Sequence, residues 1–434
     1  MTTKHWRKTS LGRVLLNLAW LLAGKGVGAL LSLVYLGLAA RTLGAEGFGQ
    51  FSLILGTAQA VTAFVRLQTW QIVVRYGMPH LSEGRSAALA RLVGFCIGLD
   101  LAGALVGCAI VTAGMLLLGP RLNWSVDLSH STLVFCLVIF LSVRSTAVGV
   151  LRLHDRFGVG AVADAVMPVV RFAGALVVVA TDASVRGFLL AWAVAEVTTA
   201  LVYWVCAKLV APRALALPHL RLARWASLEN PDIWRFIWFS NMNSILNSGS
   251  RHVVVLLVGL ATGPVGAGQY RIAAQLSQAL ARISEMFSRV VFTELTRAHT
   301  DRTGDDFGRL LLQSTRLAVV ASVSIVLALL LIGRPLLDLV VGGDYAGAYP
   351  LLLLLGLASS IDVAGVSFEP ALVAQGRAKQ AFRVRIVATI CLLLALALLL
   401  PPLGTAGAAM GVLISSATAL LLFKITSRRE ARSC

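Results

Sequence analysis

The chain has 434 residues, of which 58% are hydrophobic and 13% charged, with a mean hydropathy of +0.83. Soluble domains carry roughly 25% charged residues, so water cannot be the solvent for most of this surface, and a soluble globular enzyme is excluded. The formal net charge of +18 would fit nucleic acid if it were gathered on a soluble face, but its distribution along the chain points elsewhere.

A membrane-crossing helix needs about 20 apolar residues. The basic start (Lys4, Arg7, Lys8, Arg13) leads into an apolar run at 14–40. That run is too long for a signal peptide and reads as an uncleaved first helix. Further runs cover 48–74, 88–119, 131–151, 158–181 and 185–209. The pattern then breaks at about 210–232, where Pro212, Pro218 and Pro231 stand with Arg213, Arg221, Arg224 and Trp225. Proline and basic residues fit a cytoplasmic linker against lipid headgroups. Six more runs follow, at 233–260, 266–295, 310–333, 347–374, 380–401 and 405–426. None alternates as a barrel strand does. The fold class expected is an all-α integral membrane protein of about twelve transmembrane helices. They form two six-helix lobes, 1–210 and 233–434, joined by a linker at 211–232. Because six is even, both lobes start from the same side, so the repeat is parallel, with a pseudo-two-fold axis along the membrane normal.

A repeat is visible in the residues themselves. Gly44-Ala45-Glu46-Gly47-Phe48-Gly49-Gln50-Phe51 returns 219 positions later as Gly263-Pro264-Val265-Gly266-Ala267-Gly268-Gln269-Tyr270. Both copies fall in an outer turn between spanning helices, where glycine permits a tight turn and close helix contact. Orientation comes from the cations. The termini and even-numbered connections, with adjoining helix ends, hold 27 Lys and Arg, while the odd-numbered connections hold only Arg41, Arg121, Arg186 and Arg334. The positive-inside rule then places both termini in the cytoplasm, in a multi-pass bacterial-type inner membrane protein. It also accounts for the charge without nucleic acid. The six cysteines show no paired spacing and read as packing residues, not disulfides or metal ligands.

Seven cations remain inside the helices: Lys25, Arg66, Arg144, Arg171, Arg251, Arg271 and Arg282. Each costs roughly 2.5–3.5 kcal/mol at bilayer depth on insertion scales, so each needs a partner or a wet cavity. On helix 8, Arg271, Gln275, Gln278, Arg282 and Glu285 share one face. Helix 7 carries Ser240, Ser244, Asn247 and Arg251; helix 2 carries Ser52, Gln59 and Arg66; helix 1 carries Asn17, Lys25 and Ser32. These stripes point to a hydrated, net-cationic cavity with Lys25, Arg66, Asn247, Arg251, Arg271, Gln278 and Arg282 as substrate-binding candidates. Taken singly, the Ser and Asn fit interhelical hydrogen bonding as well. The intramembrane acids are Asp100, Asp164, Glu196, Glu285, Asp362 and Glu369. Asp164 and Arg171 lie seven apart on one face, as do Asp362 and Glu369. Asp164, Glu285, Asp362 and Glu369 are candidates for ion coupling, and structural ion pairing is the competing reading. No P-loop, nucleophile elbow or His cluster is present, so neither catalysis, a cofactor nor a metal is expected.

The segment Arg41-Thr42-Leu43-Gly44-Ala45-Glu46-Gly47-Phe48-Gly49 resembles the R-x-L-G-x-x-x-F/Y-G turn after helix 1 of Wzx-type polysaccharide flippases, which belong to the multidrug/oligosaccharidyl-lipid/polysaccharide exporter superfamily. Val265 to Ala274, with Phe292-Thr293-Glu294-Leu295-Thr296-Arg297, is similar to helix 8 and its cytoplasmic exit in that group. The resemblance implies translocation of a polyprenyl-diphosphate-linked oligosaccharide from the cytoplasmic to the outer leaflet, for surface polysaccharide biosynthesis, by alternation of two six-helix lobes. It places Lys25, Arg66, Arg251 and Arg282 on the family's cavity-facing helices. The partners implied are the lipid-linked glycan and the bilayer, with a polysaccharide polymerase and export machinery as further candidates. Lipid II flippases carry two extra helices that this chain has no length for. Two alternatives remain: a multidrug or cation antiporter of the same superfamily, and a membrane polysaccharide polymerase or glycosyltransferase. An arginine-rich site argues against the first, and short outer loops without a catalytic acid cluster argue against the second.

Overall fold

A computed structural model describes residues 10–118, 126–181, 183–216, 225–246, 250–299, 306–369, 372 and 378–430. The description is of the backbone alone at 10–27, 118, 126–128, 243, 250, 283–299, 306–314, 344, 378 and 427–430. No strand occurs among the described residues. The helices are α1 (Ser10–Val65), α2 (Thr69–Ser82), α3 (Ser86–Leu118), α4 (Val126–Leu141), α5 (Ser145–Leu153), α6 (Phe157–Thr181), α7 (Val185–Val210), α8 (Ala226–Glu229), α9 (Ile233–Ser244), α10 (Ser250–His299), α11 (Asp306–Val341), α12 (Ala348–Ala364) and α13 (Ala378–Glu430). Three of them are two passes joined at a glycine bend: Gly44 in α1, Gly263 in α10 and Gly404 in α13. The expected twelve-helix membrane fold is therefore present. Apolar side chains such as Leu190, Leu209, Leu331 and Leu398 stand exposed along the helices, as lipid-facing residues must.

The repeated turn has the same backbone in both copies. Gly44 has φ 66° and ψ −178°; Gly263 has φ 78° and ψ −176°. That combination of positive φ and extended ψ is reached essentially only by glycine, which is why glycine ends one pass and lets the next begin without a loop.

The chain divides into two compact units, one of residues 1–35 and 54–252, the other of 36–53 and 253–434. In the first, α2 packs on α3 and α5, and α6 packs along α7. The core there mixes β-branched and small residues, including Ile72, Val73, Val93, Ala147, Val150, Ala207 and Ile233. Small residues allow close helix approach where lipid supplies no hydrophobic drive between helices. In the second unit α12 packs between α11 and α13, and Leu372, Ala381, Val384, Ala388 and Phe423 form a local core.

Three of the expected spans are broken among the described residues, one of them, 347–374, at Gly365–Ser367. The run 48–74 is interrupted at Arg66–Gln68, and the run 131–151 at Ser142–Arg144. Neither of these last two breaks contains glycine or proline. Non-helical backbone at membrane depth survives only where its freed polar groups find partners, and those partners define the site.

Candidate functional site

In the first unit, the two broken spans open beside each other around a buried carboxylate. Asp100 of α3 is 5% exposed. Its Oδ1 accepts from Thr69 Oγ1 at 2.8 Å, and its Oδ2 accepts from Thr146 Oγ1 at 2.7 Å and from the Thr146 amide at 3.1 Å. Asp100 thus takes a first-turn amide of α5 and a first-turn hydroxyl of both α2 and α5, where orphan amides and the positive end of each helix dipole favour an anion. Ser145 links the two breaks: its hydroxyl donates to the Leu67 carbonyl at 3.4 Å and accepts from the Trp70 amide at 3.3 Å. The Gln68 amide donates to Asn241 Oδ1 of α9 at 2.9 Å, and Gln68 Nε2 donates to Ser244 Oγ at 2.8 Å.

The upstream half of the α4–α5 span ends in freed carbonyls, and cations or donors take them. Arg66 Nη2 donates to the Ile139 carbonyl at 3.2 Å, and Trp204 Nε1 to the Val143 carbonyl at 2.7 Å. Arg144, in the break itself, meets Glu196 of α7 with Nη1 2.5 Å from Oε2. The other oxygen of Glu196 lies 3.6 Å from Arg171 Nη2 of α6. The Arg171 guanidinium carbon stands 3.4 Å from the centroid of the Trp192 ring, a cation–π arrangement. A small pocket between the breaks is lined by Thr62, Arg66, Asp100, Arg144 and Ser145. The resulting knot holds Arg66, Arg144 and Arg171 against Asp100 and Glu196, one positive charge in excess.

The pairing differs from the one the spacing offers. Arg171 pairs with Glu196, not with Asp164, one α6 face notwithstanding; Asp164 accepts from Tyr203 Oη of α7 at 2.5 Å. Glu196, Asp100, Arg144 and Arg171 hold the knot together, although none stood among the binding candidates. The signal that marks them is a polar cluster inside an apolar run: Arg66-Leu67-Gln68-Thr69 and Arg144-Ser145-Thr146 each set an arginine just before a Ser/Thr helix start.

In the second unit, the matched turns lie against each other. A Cβ on Gly268 would stand 3.3 Å from the Gly49 Cα, and one on Gly49 would strike the Pro264 carbonyl. Glycine is required here for close approach. The hairpin tip at 36–53 is held further by Arg41, whose guanidinium donates to the carbonyls of Asp338, Leu339 and Val340 at 3.1, 2.5 and 3.2 Å. It is a cationic cap on the last turn of α11. Tyr345 Oη reaches the Ala40 and Gly44 carbonyls at 3.1 and 3.0 Å.

The other candidates fall as follows. Arg271 is buried, with Nη1 3.5 Å from the Ser52 carbonyl. Gln278 is half-buried, and Arg251, Arg282 and Asp362 are exposed. Glu369 pairs with Arg385, whose Nη2 lies 2.5 Å from its Oε2. The side chains of Lys25, Asn247 and Glu285 lie outside the described residues. Among the described residues, no group of three or more His, Cys, Asp or Glu forms a metal site.

Helices broken within apolar runs, a repeated glycine turn and arginines inside those runs mark an all-α, multi-pass membrane protein. Residues 14–297 match the family described as "Polysaccharide biosynthesis protein", and the chain belongs to that family. It is 30% identical over 359 residues to the inner membrane protein YghQ of Escherichia coli K12, covering 80% of this chain and 98% of that protein. Together with the apolar helices, this identifies a multi-pass inner membrane protein. Two solved structures share the fold. An inward-facing MATE-family multidrug resistance transporter aligns over 94% of this chain and 95% of its own, with a TM-score of 0.71 and 14% identity. The lipid II flippase MurJ, in an inward closed conformation, aligns over 94% and 87%, with a TM-score of 0.71 and 11% identity.

Proposed function

We propose that this protein is a transporter that moves polyprenyl-diphosphate-linked oligosaccharide from the cytoplasmic to the outer leaflet by alternating access, with both termini cytoplasmic and no catalytic step of its own. The lobes that alternate are 1–210 and 233–434, joined by 211–232. The observation that carries the reading is the surplus of arginine over carboxylate in the buried knot, Arg66, Arg144 and Arg171 against Asp100 and Glu196, in a chain of the polysaccharide biosynthesis family. A diphosphate is the anion such a surplus suits, since a guanidinium binds it with paired hydrogen bonds. Lys25, Arg66, Asn247, Arg251, Arg271, Gln278 and Arg282 are proposed to hold the headgroup and its sugars. A carrier of cationic drugs would be served by acids and aromatics instead. Asp164, Glu369, Glu285 and Asp362 remain proposals for ion coupling; the Tyr203 and Arg385 bonds of the first two favour a structural part for them.

The test is reconstitution of the purified chain in proteoliposomes carrying a fluorescent polyprenyl-diphosphate sugar in the inner leaflet. The expected result is time-dependent exposure of the sugar to an external glycosidase, weakened by Arg66→Ala and Arg282→Ala. Proteoliposomes that expose no sugar yet expel a cationic dye would replace this reading with the antiporter.

A further inference from the structure

At one end of the first unit, α8 and α9 carry an aromatic and basic face that the translocation reading does not use. The underside of this segment is anchored: Ala226, Ile233 and Ile237 are buried, the two isoleucines in the core with Ile72, Val73 and Val93. Arg91 of α3 holds α8 through Glu229, with Nη2 and Nε 2.5 and 3.2 Å from the two carboxylate oxygens. The opposite side is turned out. Trp234, Arg235, Trp238 and Phe239 occupy one stripe of α9, and Trp225 and Leu228 flank α8; Trp238 is 63% and Leu228 74% exposed. Three of the chain's nine tryptophans thus stand exposed within 14 residues.

Exposed cations lie on this face and on the segments that share its core. Lys208, Arg213 and Arg235 are exposed, and Arg75 is also exposed while its guanidinium lies 4.6 Å over the Phe236 ring. Against them stand Glu229, already paired with Arg91, and Asp232. The face is therefore net positive. Val205 and Leu209 stand exposed near the end of α7, whose Tyr203 and Ala207 share a core with Ile233 and Ile237 of α9. Indole sits at headgroup depth because its ring is apolar and its N–H needs a polar partner. Basic residues at that depth attract acidic lipids.

We propose that Trp225, Leu228, Trp234, Trp238 and Phe239, with Lys208, Arg213 and Arg235, form a docking surface for the headgroup layer of acidic phospholipid. The rings and Leu228 enter the boundary of the acyl chains. The guanidinium and ammonium groups take the lipid phosphates. The segment then fixes the depth of α9, whose Asn241 and Ser244 bond the break at Gln68.

The test uses the full chain in nanodiscs of mixed phosphatidylcholine and phosphatidylglycerol, with trace lipid bearing a headgroup nitroxide. The signal is tryptophan emission of the wild type minus that of the Trp225→Phe/Trp234→Phe/Trp238→Phe variant. Half-quenching is expected at about fivefold lower mole fraction of nitroxide phosphatidylglycerol than of nitroxide phosphatidylcholine, the factor one basic residue near an acidic surface supplies. Arg213→Gln/Arg235→Gln, which keeps every tryptophan, is expected to abolish the difference between the lipids while quenching persists. Equal quenching by both lipids in the wild type overturns the proposal. So does stronger quenching by aqueous iodide than by either lipid. Neither readout depends on transport, so failure here leaves the proposed substrate untouched.

Discussion

Glu196 is the sharpest place to test the charged knot. Glu196→Gln keeps the shape of the side chain and removes the counter-charge shared by Arg144 and Arg171. Two unit charges about 4 Å apart attract by about 4 kcal/mol at an effective dielectric of 20. The Arg144 contact at 2.5 Å is of that order, and the Arg171 contact at 3.6 Å is weaker. Side-chain exposures of 11% for Glu196, 21% for Arg144 and 12% for Arg171 leave little water to take over. Removing one partner of a buried pair costs about 3–5 kcal/mol. Glutamine retains one hydrogen bond to Arg144, which sets the expectation near the lower end, about 3 kcal/mol. For a unit of 150–250 residues, 1 kcal/mol moves the melting temperature about 2–4 °C, so the expected loss is about 6–12 °C. A thiol-reactive dye reads it directly, because Cys96 and Cys136 are buried until the unit opens. In the double variant Glu196→Gln/Arg144→Gln part of the loss returns, since the like-charge repulsion between Arg144 and Arg171 is relieved. Glu369→Gln is expected to cost less, because its pair with Arg385 is more exposed. A Glu196→Gln protein melting within 1 °C of wild type in the same detergent would refute the idea that this carboxylate holds the knot.

Four further outcomes are expected. Asp100→Ala takes the acceptor from the Thr69 hydroxyl and the Thr146 amide and leaves the Thr146 hydroxyl only Thr69 Oγ1 at 3.3 Å, at about 1–3 kcal/mol for each buried donor left unpaired, and hydrogen exchange at 67–71 and 142–147 is expected to accelerate; unchanged protection there would mean that the breaks are held by something else. Gly49→Val drives a side chain into the Pro264 carbonyl, and the folded yield is expected to fall well below that of Gly44→Ala, whose backbone strain is about 1–3 kcal/mol; the reverse order would contradict the packed turns. Arg41→Ala is expected to raise exchange at the end of α11 and the following turn, with Arg41→Lys restoring only part, because a single ammonium does not reproduce a fork that reaches three carbonyls. Lys25→Ala is expected to lower surface polysaccharide at normal protein level, and wild-type polymer from a normally expressed variant would remove that residue from the mechanism.

The sequence carried the membrane class, the helical content and the duplication, because a bilayer enforces each locally. Every spanning helix must satisfy its own backbone and show an apolar exterior, so runs of about 20 apolar residues are legible without tertiary information. Gly44 and Gly263 were legible for the same reason: a positive φ is a property of one residue, and it leaves the same mark in both copies. What the sequence alone did not determine is which polar groups meet. Arg144 and Glu196 are 52 positions apart, and Asp100 meets Thr69 and Thr146 from a third helix. Helical spacing placed Asp164 with Arg171, but packing of α6 against α7 supplied each with a different partner. The breaks at 66–68 and 142–144 were hidden too, since neither holds glycine or proline. Their stability comes from neighbouring side chains that accept and donate across helices, and only the tertiary structure brings those neighbours within hydrogen-bonding distance.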